Sequence, residues 1–371
     1  MKITAAVLDA IGAVGPFAET QPMRLAALDL APPRDGELLV KIDACGLCHS
    51  DLSVVNGDRP RPMPMAIGHE AAATVLQSSP GSSFAPGDRV VLAFLPSCGK
   101  CPTCASGQGY LCASAAAANG AGMLMHGGSR LAENGHAVHH HMGVSAFATH
   151  SVIDERSAVK IPSDIAPEIA ALFGCAVLTG VGAVFNTAQV RPGESVALYG
   201  LGGVGLAALL GALAAGAQPV IAVDPVAAKR DLALELGATA AVHPDDAAAT
   251  IAALTNGGAD VAIESVGRAK VLADAYKSTR RGGRTITVGL PNPAEMLEIP
   301  AVSLVGDGKT LMGSYMGSSI PSRDIPRYIA LWRAGRLPVE RLLTSTSPLS
   351  EINHLLDELA SGRAIRQVML P

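Results

Sequence analysis

Residues 195–224 read SVALYGLGGVGLAALLGALAAGAQPVIAVD. The apolar run Ser195–Tyr199 has the length of a buried strand, Val204–Ala215 reads as a helix, and Val220–Val223 is a second strand that ends at Asp224. Between the first strand and the helix lies Gly200-Leu201-Gly202-Gly203-Val204-Gly205, a G-x-G-x-x-G turn. Its glycines permit a tight turn and a close backbone approach to a pyrophosphate. The helix N-terminus adds free N–H groups and a partial positive charge. Asp224, nineteen residues after the last of these glycines, is placed to accept hydrogen bonds from adenosine ribose hydroxyls and to repel a 2′-phosphate. The stretch therefore reads as an NAD site rather than an NADP site. It carries no charge from Gly200 to Val223, enough residues to cross a bilayer. Its glycines, Pro219 and missing basic flank fit a strand, a turn and a buried helix better, so no membrane partner is expected.

Outward from this stretch the strand and helix signals alternate. Val226–Leu236 is helical, and Ala240–Val242, Val261–Ile263 and Arg284–Val288 repeat the strand pattern. Such alternation builds right-handed βαβ units and a parallel sheet. Residues 1 to about 175 differ: they are rich in Gly, Pro, His and Cys. Short β-like runs (Leu38–Ile42, Ala71–Leu76, Arg89–Ala93, Ala148–Val152) are separated by turn signals such as Pro86-Gly87-Asp88. This is the pattern of an irregular, mostly β domain. Residues 113–146 show little periodicity and read as a long surface excursion. Near the end, Glu351–Arg366 reads as a helix and Gln367–Leu370 as a strand.

Composition narrows the function. The chain has 371 residues, 49% hydrophobic and 16% charged, with 40 glycines and only 3% aromatics. The length suits two or three domains, the composition suits a parallel sheet covered by helices, and the hydrophobic fraction excludes intrinsic disorder. The formal charge of −4 has no long run of one sign, so neither nucleic acid nor an anionic membrane surface is an expected partner. The opening MKITAAVLDAIGAV lacks the long apolar core of a secretory signal and reads as a first strand, which points to the cytoplasm.

Four of the seven cysteines, Cys98, Cys101, Cys104 and Cys112, lie within fifteen residues. Four thiolates at these spacings can close around one zinc ion with no open position. An iron–sulfur cluster is the rival. A nucleic-acid ribbon is the third reading, disfavoured because the loop is nearly without Arg and Lys. A second constellation is Cys48-His49-Ser50-Asp51, Gly68-His69-Glu70 and, far downstream, Gly174-Cys175. Two thiolates and an imidazole could hold a catalytic zinc that keeps one position open, with carboxylates nearby to orient the ligands. Spacing does not bring these three together: on the residues alone a buried free cysteine and a core histidine account for them better than a metal site does.

Taken together these motifs resemble the zinc-dependent medium-chain alcohol dehydrogenases over essentially the whole chain. The resemblance rests on Gly46-Leu47-Cys48-His49-Ser50-Asp51, Gly68-His69-Glu70, the four-cysteine loop, Gly174-Cys175 with Thr179-Gly180, the glycine turn, and Ile365-Arg366. It implies an irregular, mostly β, GroES-like catalytic domain over 1–176, to which 320–371 returns. It implies a doubly wound Rossmann domain over 177–319. By resemblance, Cys48, His69 and Cys175 are the ligands of a catalytic zinc, and Cys98, Cys101, Cys104 and Cys112 those of a structural zinc, two ions per chain. Ser50 is the hydroxyl that meets the substrate alcohol and starts a proton relay. Asp51 and Glu70 stand behind the metal ligands. His49 and Arg366 face the cofactor pyrophosphate. Thr179, Val204 and Val288 pack around the nicotinamide, and Lys229 joins Asp224 and Gly200, Gly202, Gly203 and Gly205 at the adenosine half of NAD. The implied reaction is reversible oxidation of a primary alcohol to an aldehyde with hydride transfer to NAD, by a homodimer.

Some positions depart from the family pattern. Ser53 stands where some relatives carry the relay histidine, so the last step of proton exit has no assigned group. The thiol-dependent formaldehyde (S-hydroxymethyl-thiol) dehydrogenase branch uses an acid where Arg59 stands, and an arginine where this chain has Ala115–Ala118; that branch is the alternative activity. A non-catalytic zinc- or dinucleotide-binding homologue is the alternative of a different class. The tract His139-His140-His141 reads as structural rather than as a metal site, and Phe94 as a candidate pocket wall beside zinc. Which alcohol or aldehyde is used is not written in the sequence.

Overall fold

Along Met23–Leu30 the side chains alternate, with Met23, Ala26, Leu28 and Leu30 buried and Leu25, Ala27 and Asp29 exposed. That period of two gives a strand with one face on a core. In the computed structural model, which describes residues 1–371, this strand pairs with Lys2–Leu8 and with Leu131–Glu133. With His136–His140 and Met65–Ala66 they close a small barrel. Its core includes Val7, Leu28, Leu124, Leu131, Val138 and Val152, each such side chain contributing about 1.5–3 kcal/mol when fully withdrawn from water.

A second sheet of the same unit has the order Ala158–Lys160, Arg89–Leu92, Glu70–Ser78, Glu37–Leu47, Arg366–Leu370, Leu343–Pro348; His150–Asp154 also pairs with Glu37–Leu47. Two of its strands position the chemistry. Glu37–Leu47 runs directly into Cys48 and the short helix α1 (His49–Val55), and His69 immediately precedes Glu70–Ser78. Contacts divide the chain into two units: Met1–Cys175 with Ile320–Pro326 and Leu343–Pro371, and Ala176–Ser319 with Arg327–Leu342.

Three sequence expectations are corrected. Residues 113–146 are not a surface excursion. They contain the helix Ala113–Gly120 and two barrel strands, and they bury Leu124, Leu131, Val138, His140 and His141. Short strands of three and five residues around an Asn134-Gly135 turn are too brief to show periodicity. Second, 320–371 does not form one piece: Arg327–Leu342 belongs with the Rossmann unit. There the Tyr328 ring packs against Phe185, and Arg336 donates to the Ala214 carbonyl at 3.1 Å. Third, the last helix is Ile352–Ala360 and stops short of Arg366, because Arg366–Leu370 is drawn into a strand between Leu343–Pro348 and Glu37–Leu47.

The second unit is a six-stranded parallel sheet. Its strands are β1 (Val196–Tyr199), β2 (Val220–Val223), β3 (Ala240–Val242), β4 (Ala259–Glu264), β5 (Thr279–Thr287) and β6 (Thr310–Gly313), in the order β3-β2-β1-β4-β5-β6. This is the doubly wound order in which the chain reverses beside β1. Every residue of β1 and β2 is buried, as expected where helices cover both faces of a parallel sheet. The uncharged stretch 200–223 folds as the glycine turn, helix α2 (Gly203–Ala214) and β2; no helix of the chain is long and apolar enough to cross a membrane.

Candidate metal centre and dinucleotide site

Cys48 is the N-cap of α1. Its backbone N–H donates to Asp51 Oδ2 at 3.0 Å, the return arm of a capping box. The other oxygen of the same carboxylate, Oδ1, lies 2.9 Å from His69 Nδ1. Asp51 thus ties one turn of helix to the entry of a neighbouring strand. His69 Nε2 then faces Cys175, with Sγ at 3.4 Å. Cys48, His69 and Cys175 are all buried, and their ligand atoms lie within 4.8 Å of one another. Tetrahedral zinc with Zn–S and Zn–N bonds of ordinary length separates a sulfur from a nitrogen ligand by about 3.6 Å. The residues therefore fit the ion.

The Cys48 thiol is held well below its ordinary value, first by a hydrogen bond from Cys175 and also by the charges of Arg366 and His69. Cys175, as the partner that keeps the proton, is pushed up. Burial pushes Glu70 up to about 7, against the pull of the Arg366 guanidinium 3.3 Å away. Both Glu70 oxygens are buried without a hydrogen bond. Ser50, in the first turn of α1, is half-buried, whereas His49 is exposed. Ser53 donates its hydroxyl to the His49 carbonyl at 2.8 Å, a bond within the helix. Phe94 stands edge-on to the His69 ring, centroids 5.4 Å apart.

In the cysteine loop, Cys98 and Cys104 sulfurs are 3.9 Å apart, and Cys101 and Cys112 are 4.0 Å apart. These are too long for disulfides and close to the roughly 3.8 Å between two thiolates on one tetrahedral zinc. Cys101 is drawn down to about 6, first by the Thr103 hydroxyl, and Cys104 is pushed up to about 12, first by burial.

In the second unit the glycine turn joins β1 to α2. Gly200 has φ +92, and a Cβ on Gly205 would run into the Gly200 carbonyl. Asp224 ends β2 with both oxygens committed to backbone: Oδ2 accepts from Leu201 N at 2.8 Å and Oδ1 from Val226 N at 2.9 Å. It therefore fixes the turn as well as facing it. Lys229 is buried in the following helix. A cavity of about 460 Å³ opens here, lined by Gly200, Val223, Pro225 and Val266 and reaching Asp274 and Lys277. Thr179 is buried, Val204 and Val288 are half-buried, and Val288 N–H donates to the Glu264 carbonyl.

Arg366 has contacts within its own unit that the sequence did not indicate. It is buried among the metal-site residues, facing Glu70 and donating to the Leu47 carbonyl at 3.1 Å. Two residues were missed by sequence reasoning. Glu264, at the end of β4, accepts from Val266 N, Gly267 N and Thr287 Oγ1 at 2.6–2.8 Å and so builds the wall opposite the glycine turn. An acid followed by Ser-Val-Gly at the carboxyl end of a parallel strand is the signal that could have found it. His141 is the other. It lies against Asp51 and His69, and nothing in the tract of three histidines distinguishes it.

Comparison with known proteins agrees with this geometry. A family model for the alcohol dehydrogenase GroES-like domain matches residues 34–163, and one for zinc-binding dehydrogenases matches 203–333. The chain belongs to the zinc-dependent medium-chain alcohol dehydrogenase family. It is 36% identical to an S-(hydroxymethyl)glutathione dehydrogenase of Synechocystis sp., with 100% of both chains covered. A crystal structure of an alcohol dehydrogenase zinc-binding domain protein from Burkholderia ambifaria superposes with a TM-score of 0.94 at 36% identity, covering 100% of this chain and 99% of that one. Benzyl alcohol dehydrogenase from Acinetobacter calcoaceticus gives 0.93 at 32% identity, with the same coverage.

Proposed function

We propose that this dehydrogenase is an NAD-dependent enzyme that interconverts a primary alcohol and its aldehyde, with two zinc ions per chain. The observation that carries the reading is the convergence of Cys48, His69 and Cys175, buried, with Asp51 fixing the imidazole between them. When bound, zinc at these ligands would supply Lewis acidity toward the substrate oxygen, and NAD the carbon that accepts hydride. Asp51 keeps the proton of His69 on Nδ1, so Nε2 remains a lone-pair donor toward the metal. Ser50 Oγ accepts the hydroxyl proton of the alcohol and releases its own. Ser53 is engaged by the helix and takes no part. The four-cysteine loop would leave its ion no open position, so a zinc held there would serve structure alone. Asp224, with no basic partner in hydrogen-bond contact with its carboxylate, favours a ribose hydroxyl over a 2′-phosphate.

The Synechocystis relative favours a second reading, oxidation of an S-hydroxymethyl thiol adduct. Against it stand Arg59, half-buried, and the alanines of the helix Ala113–Gly120, where that branch carries an acid and an arginine. NADH formation from a panel of alcohols, benzyl alcohol included, and from formaldehyde with and without glutathione separates the two. The first reading expects turnover without thiol. A strict thiol requirement would replace it with the second, and inactivity of a chain holding zinc and NAD would leave only binding.

For the assembly, we propose a homodimer through the free edge of the Rossmann sheet. Strand β6 has no further partner, and beside it helix α3 (Ala301–Gly306) exposes Val302 and Val305. An open strand edge with apolar neighbours is the kind of surface a second copy of the same chain covers.

A further inference from the structure

We infer that His141 is a positioning residue of the catalytic metal centre, acting on His69 through Asp51 and by direct ring contact. This deepens, and rests on, the reading of Cys48, His69 and Cys175 as a zinc site. His141 lies in the barrel unit just past the strand His136–His140, far in sequence from all three ligands, and is 1% exposed. Its Nδ1 is 3.4 Å from Asp51 Oδ1, the same oxygen that His69 Nδ1 meets at 2.9 Å. Its ring stands edge-to-face on the His69 ring, centroids 5.6 Å apart at 85°. Phe94 makes the matching edge contact at 5.4 Å and 89°. The His69 imidazole is therefore in ring contact with both, while its Nδ1 meets the one carboxylate.

The geometry gives His141 a definite task. Nδ1 of His141 is buried and makes no hydrogen bond, and it faces Asp51 Oδ1 at 3.4 Å. A buried donor without a partner is costly, and a small rotation of the ring would bring Asp51 Oδ1 into hydrogen-bond range. With the proton on Nδ1, His141 shares that oxygen with His69. Asp51 then carries links to Cys48 N, to His69 and to His141. His141 is itself fixed from the barrel: its backbone N–H donates to Ser145 Oγ at 3.0 Å, and its carbonyl accepts from Val144 N and Ser145 N. Through this chain the barrel would set the orientation of one metal ligand. Partners one shell removed from a metal typically change its affinity by about 10–100-fold when lost.

The test compares two variants of the full chain. His141→Asn keeps an N–H donor near the position of Nδ1; His141→Leu keeps the volume and removes the donor. Zinc release to a chromogenic chelator is followed for each, and the d–d spectrum of the cobalt-exchanged protein is recorded. The expected result is release of the catalytic ion about 10–100-fold faster in His141→Leu, with an altered cobalt band, substantial rescue in His141→Asn, and an unchanged four-cysteine ion in both. A wild-type chain that holds two ions, with His141→Leu matching it in release rate and spectrum, overturns the role of His141 alone. Loss of both ions together in His141→Leu also overturns it, because that is unfolding rather than positioning. A wild-type chain that holds only the four-cysteine ion overturns the site reading and this inference with it.

Discussion

Asp51 Oδ1 sits 2.9 Å from His69 Nδ1 while both residues are withdrawn from solvent. The two come from different elements, α1 and the strand that begins at Glu70, so this one contact converts two separate sequence motifs into a single site. Replacing Asp51 by Asn keeps the shape and removes the charge. Catalytic zinc affinity is expected to fall about 10–100-fold, with kcat falling alongside it, and the four-cysteine ion is expected to stay. Metal titration of the variant checks this; unchanged affinity would mean that Asp51 merely caps the helix.

Ser50 is expected to carry proton removal. Ser50→Ala should lower kcat by about 10²–10⁴-fold and leave NAD binding untouched, while Ser53→Ala should be nearly silent. Steady-state kinetics decide it, and an equal loss in both variants would place the relay elsewhere.

At the dinucleotide turn, Gly205→Ala would drive a methyl into the Gly200 carbonyl. Loss of measurable NADH fluorescence enhancement is the expected outcome, with metal content retained. Asp224→Ala should shift the NAD-to-NADP preference toward NADP. An unchanged ratio would show that another residue selects the cofactor.

His140 gives a pH prediction. Burial, with help from Arg130 and His139, lowers its value from 6.5 to about 3. The unfolded chain therefore binds a proton between those values that the folded chain refuses. The stability that His140 supports is fully present above pH 6.5 and is lost progressively as pH falls toward 3, at no more than about 1.4 kcal/mol per pH unit. In denaturant unfolding from pH 7 to 4, His140→Gln should lose stability less steeply than the wild type. Parallel slopes would mean that the histidine is not buried neutral.

Much of the fold and site was legible because it is written locally. The glycine turn, its flanking strands and Asp224 lie within thirty residues, and the four-cysteine loop within fifteen. In both, chain geometry alone brings the groups together. The catalytic trio was legible only through resemblance, since Cys48 and Cys175 are 127 positions apart and sheet pairing, not spacing, unites them. What stayed hidden depends on tertiary placement. Leu131–Glu133 and His136–His140 are too short to show a period yet close the barrel. His141 looks like its two neighbours until the fold sets it against Asp51. Arg366 sits at a position matched by the family, and its burial against Glu70 shows only in the fold.

The central claim is that three scattered side chains hold a second, catalytic zinc. It is tested most directly by measuring zinc per chain and alcohol turnover for the wild type and Cys48→Ala side by side. The account predicts two ions with NADH formation for the first, and one ion without it for the second. One zinc in the wild type, or full turnover in Cys48→Ala, would contradict it.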